Sequence, residues 1–139
     1  MLVVRNVRVF PATGAEAKPG HDVWVVNGVI EVILPTGRTP PPVGAEIVDG
    51  AGRTLLPGLI DVHVHVEGSP RPAWDTGLPN PRTNVRQLVY SGVTTAFDVG
   101  GPLKLLGRLR ADIEKGSLPG PDLLYSGPHI AIKNGHPAA

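Results

Sequence analysis

After Pro57-Gly58 the chain settles into short apolar runs separated by helical stretches, and this order limits the possible folds more than any other feature. Leu59-Ile60-Asp61-Val62-His63-Val64-His65-Val66 reads as a strand. A helix is predicted from about Arg82 to Ser91 with Gly92 as its stop, and Val93 to Val99 reads as a second strand ending in Gly100-Gly101. Pro102 suits the first turn of another helix, in which Leu103, Leu106, Leu109 and Ile113 recur at helical spacing until Gly116; the three leucines are expected in the core. Asp122-Leu123-Leu124-Tyr125-Ser126 begins a third strand. Strand, helix, strand, helix, strand predicts βαβ units on a parallel sheet.

Residues 1–57 follow a different rule and read as all-β. Residues 2–10 alternate like a strand, and a turn-rich loop is expected through Pro11, Gly14, Pro19 and Gly20. Val23-Trp24-Val25-Val26 and Val29-Ile30-Glu31-Val32-Ile33 flank Asn27-Gly28, the dipeptide best suited to a type I′ hairpin. The prolines at 35 and 40–42 end that ribbon. Short strands are expected at Glu46-Ile47-Val48 and Arg53-Thr54-Leu55-Leu56, with Asp49-Gly50 as the turn between them. The domain boundary is placed at Pro57-Gly58, giving 1–57 and 58–139.

The 18 Gly and 16 Pro favour short elements joined by tight turns. Thirteen basic and 12 acidic side chains leave a formal charge of +1, too weak a field to grip nucleic acid or an anionic membrane. With no cysteine, disulfides and thiolate metal sites are excluded, so a metal would have to be held by nitrogen and oxygen. No apolar run resembles a signal peptide or reaches membrane-spanning length, and a cytoplasmic protein is expected.

Side chains alternate along a strand, so Asp61, His63 and His65 are expected on one face and Val62, Val64 and Val66 on the other. In a parallel barrel the valines would meet outer helices, while the Asp/His face would look inward near the carboxyl end of its strand, where catalytic groups of that architecture sit. Two imidazoles two residues apart can converge on zinc or another divalent first-row ion. Histidines on the surface of an edge strand are the competing reading of the same spacing.

Pro57-Gly58-Leu59-Ile60-Asp61-Val62-His63-Val64-His65 closely resembles the Pro-Gly-x-Ile-Asp-x-His-x-His signature of the amidohydrolase superfamily. The resemblance extends over nearly the whole chain. Residues 25–30 and 50–58 look like the approach to the first barrel strand, 92–101 like the second strand of the imidazolonepropionase-like and prolidase-like branch, and 120–127 like the third. The implied fold is α/β: part of an N-terminal β-sandwich followed by the first three strands of a TIM-like (β/α)8 barrel. Residues 58–139 fall far short of the about 250 such a barrel needs, so a truncated portion is expected.

The resemblance implies that His63 and His65 ligate the more buried of one or two divalent ions, most often zinc. In that family a lysine, often carbamylated, two further histidines and an aspartate complete the site from later strands, and the catalytic base is expected on a strand missing here. Lys133 lies beyond the third strand, whereas the family's lysine belongs to the fourth; a solvated side chain is its commoner fate. His129 and His136 lie at or past the end of strand three, where substrate contact competes with an ordinary loop position. Asp61 and Asp98 are candidate supporting carboxylates: Asp61 could fix an imidazole or be structural, and Asp98 could orient site groups or cap the turn into Gly100-Gly101. The loop Trp74-Asp75-Thr76-Gly77 would border a substrate pocket or plug the barrel mouth.

The implied chemistry is hydrolysis of an amide-like C–N bond in a small molecule by metal-activated water. The alternative is a non-catalytic fragment that needs the rest of the barrel; an independent β-rich binding module would leave the βα units unexplained. The chain alone is expected to be inactive and not to be a stable monomer: either the missing segment is present as a separate chain, or copies associate through the unpaired edges, or the fragment is only partly ordered.

Overall fold

The computed structural model describes residues 1–68 and 80–130. It is an α/β protein of two compact units, Met1–Pro57 and Gly58–Ala139.

The first unit is a five-stranded sheet. Strands β1 (Leu2–Val9), β2 (Lys18–Val26), β3 (Val29–Pro35) and β4 (Glu46–Asp49) lie in the order β3-β2-β1-β4, and β5 (Thr54–Leu55) also pairs with β1. The β2–β3 pair is antiparallel, with Val26 opposite Val29. Asn27 and Gly28 have φ of +50° and +81°, the double left-handed signature of a type I′ turn. The expected turn at Pro19-Gly20 is instead part of β2. Between Val9↔Lys18 and Val7↔His21 the register slips, which is how a bulge accommodates a proline that cannot donate to the ladder.

A second irregularity in β1 is tied to a buried carboxylate. Asn6 sits at φ +51°, and its amide donates to Oδ1 of the fully buried Asp22 at 2.9 Å. The Thr36 hydroxyl donates to the same oxygen at 2.7 Å, and Arg5 Nε donates to Oδ2 at 3.3 Å. Burial by itself would raise the Asp22 pKa; the Asn6, Thr36 and Arg5 hydrogen bonds, together with the Arg5 charge, outweigh it and hold the carboxyl below its ordinary value.

The second unit is a parallel sheet in the order β6-β7-β8, formed by β6 (Leu59–Val64), β7 (Val93–Asp98) and β8 (Asp122–Tyr125). Helix α1 (Pro81–Tyr90) follows β6 and packs on β7; α2 (Leu103–Glu114) follows β7 and packs on β8. Asn80 caps α1 by accepting from the Thr83 amide, with Pro81 at the first helical position. The core gathers Val66, Val85, Ala96, Leu106, Leu109, Leu118 and Leu123.

Two core expectations are corrected. Val62 is 69% exposed, because the helices cover β7 and β8 while β6 is an edge strand. Leu103 is 55% exposed: it is the first residue of α2 and lies against Gly127 at the rim, whereas Leu106 and Leu109 are buried. Among the described residues, no helix is long and apolar enough to cross a membrane.

Candidate functional site

Parallel strands bring their carboxyl ends to one rim, and the loops leaving β6, β7 and β8 meet there. Asp98, the last residue of β7, binds them together. Its fully buried carboxylate accepts the Val66 amide at Oδ2 (2.8 Å) and the Gly100 amide at Oδ1 (3.0 Å), joining the turn after β6 to the turn after β7. Its backbone carbonyl accepts from the Ser126 amide at 2.9 Å, and the Gly101 amide reaches the Gly127 carbonyl at 3.3 Å, which adds the loop after β8. Asp98 therefore caps its own turn and fastens two others. Neither of its oxygens contacts an imidazole among these bonds.

His63 lies within β6 and His65 just beyond it. Their rings are 5.4 Å apart between centroids and nearly perpendicular, which puts both on one side of the chain as side chains at i and i+2 in a strand should be. Both are exposed at the rim. Asp61 accepts from the His63 backbone amide at 3.1 Å, so it braces the strand locally. His65 Nδ1 lies 3.2 Å from the Gly100 carbonyl oxygen. A carbonyl only accepts, so this is a hydrogen bond in the tautomer with its proton on Nδ1, and that tautomer leaves the Nε2 lone pair free for a ligand.

His129, from the loop after β8, brings its ring to 5.6 Å from that of His65. His136, Lys133 and the Trp74-Asp75-Thr76-Gly77 loop lie outside the described residues. The donor set fits a divalent ion in kind: two neighbouring imidazoles, one pre-oriented by a carbonyl. Among the described residues, no group of three or more histidines or carboxylates gathers to hold an ion.

Asn84 is the residue that sequence reasoning missed. From the first turns of α1 its Nδ2 donates to the carbonyls of Val66, at 2.9 Å, and Gly68, pinning the turn that follows the histidines. A lone asparagine inside a helical stretch carries no sequence signal for that bond. Val64, His65, Val66, Gly68, Asn84, Gln87, Leu88 and Ser91 surround a cleft of about 370 Å³ beside this turn.

No protein-family model matches the chain. Adenine deaminase 3 of Rhizobium meliloti (strain 1021) is 38% identical over 96 residues, which is 69% of this chain and 15% of that protein. An allantoinase of Streptomyces avermitilis is 34% identical over 113 residues, 78% of this chain and 24% of that protein. A solved amidohydrolase structure matches with a TM-score of 0.68 at 27% identity, over 91% of this chain and 31% of its own. The chain thus spans about a quarter or less of the length of these two curated relatives. A histidine pair leaving the first strand of a parallel sheet, and relatives and a solved structure that match across most of the chain, lead to one placement: this chain belongs to the amidohydrolase superfamily.

Proposed function

We propose that residues 1–139 supply the first metal ligands and part of the pocket rim of a hydrolase that cleaves amide-like C–N bonds in small molecules. The observation that carries this reading is His65, held through Nδ1 by the Gly100 carbonyl beside His63 at the carboxyl end of a parallel sheet. In the reading, residues 1–57 are part of a β-sandwich, and β6 to β8 open an eight-stranded barrel whose active site lies at that end. The relatives' names, adenine deaminase and allantoinase, support a small nitrogen-containing substrate.

Zinc, or another divalent first-row ion, as one or two ions in the complete enzyme, would supply an activated water and polarise the scissile carbonyl. His63 and His65 hold and orient without transferring protons. His129 and His136 contact substrate, Asp61 and Asp98 hold the ligand-bearing backbone, and the catalytic base belongs to residues beyond those described. The setting is cytoplasmic, with neither nucleic acid nor membrane as partner. Among the described residues two imidazoles are paired, one fewer than the three protein ligands of an ordinary catalytic zinc site, and on this reading the 139 residues alone are inactive.

Equilibrium dialysis of the 139-residue chain against zinc tests the ligand assignment. One bound ion is expected, with His63→Ala or His65→Ala weakening binding by about tenfold or more. Unchanged zinc content in the double variant would remove the metal reading.

A further inference from the structure

The His65 ring has His63 and His129 as neighbours, at 5.4 Å and 5.6 Å between ring centroids. The position that relates His65 to His129 is Gly100, in the turn after β7. Its carbonyl meets Nδ1 of His65, and its own amide is fixed by Asp98. On its other side the α-carbon is bare, and a methyl group built there would overlap Cε1, Nε2 and Nδ1 of the His129 ring.

We propose that Gly100 is a positioning residue for two imidazoles at once. Its carbonyl selects the tautomer and rotation of His65, and its missing side chain is the seat of the His129 ring. The arrangement makes His129 part of the site's geometry through backbone contact, with no side-chain hydrogen bond required. Its functional meaning rests on the reading of His65 as a metal ligand; the geometry does not, and the test uses metal-free chain.

The experiment compares wild type, Gly100→Ala, His129→Ala and the double variant, all as the full 139-residue chain in mildly alkaline buffer. Ring nitrogen chemical shifts report the His65 tautomer, and thermal melting reports strain. Wild type is expected to hold its His65 proton on Nδ1. Gly100→Ala should lose that uniform tautomer and melt measurably lower, by no more than a few degrees because the exposed His129 ring can turn outward from the methyl group. In the double variant the methyl occupies the space vacated by His129, so both the tautomer and the melting point should return to those of His129→Ala. A proton on Nε2 in wild type, or a double variant no better than Gly100→Ala, would overturn the proposal. If Gly100→Ala does not fold, the double variant decides: folded supports the seat, and unfolded beside a folded His129→Ala refutes it. Zinc affinity enters none of these readouts, so a failed metal assignment would leave this result standing.

Discussion

Asp98 concentrates more structural consequence than any other described side chain at the rim. Replacing it with alanine strands the Val66 and Gly100 amides, two donors that its carboxylate now satisfies, and should cost about 2 kcal/mol or more in urea unfolding. Amide hydrogen exchange at those two positions should accelerate in parallel. Asp22 gives the first unit a pH signature. Its folded pKa lies below the unfolded value of about 3.9, so its contribution is complete above that pH and is lost as pH falls from there towards the folded value. The stability gap between wild type and Asp22→Asn should therefore stay constant down to about pH 4 and narrow in stronger acid; a gap that widens there would contradict the cluster. Neither aspartate's role is written in its neighbours in sequence. Asp98 left two readings open because the choice depends on Val66 and Ser126, which only the folded sheet brings near it.

At the level of elements, local chemistry was readable and tertiary override was not. Asn27-Gly28 specifies its turn through the backbone conformations these two residues tolerate, and the hairpin forms there. Pro19-Gly20 carries the same kind of local signal, yet pairing with β1 absorbs it as a bulge. The helical spacing of Leu106 and Leu109 located the buried face of α2, but Leu103 has that spacing and lies one turn too early, over the rim. Two substitutions measure how much the local signals contribute. Asn80→Ala removes the cap of α1 and should cost about 1 kcal/mol. Gly28→Ala, at φ +81°, should cost about 1–2 kcal/mol. Denaturation midpoints unchanged in both would mean that tertiary packing alone sets these elements.

For the molecule as a whole, the apolar side chains along β6 are expected to govern its behaviour in solution. Ile60 and Val62 are 68% and 69% exposed on a strand that, among the described residues, has a neighbour on one side only, a combination that invites pairing with another chain. The chain should sediment above monomer mass at micromolar concentration, and Ile60→Lys with Val62→Lys should shift it towards monomer. A monomeric wild type would show that this edge is tolerated. The knot at Asp98 also has a bearing on descent. Its bonds reach the backbone amides of Val66, Gly100 and Ser126 and no side chain of theirs; Val66 is packed in the core and Gly100 has no room for a side chain, so the exposed Ser126 is the position of the three that can exchange one residue for another while the loop path persists. A lineage built on such a rim can vary its exposed loop residue without relearning how to fold.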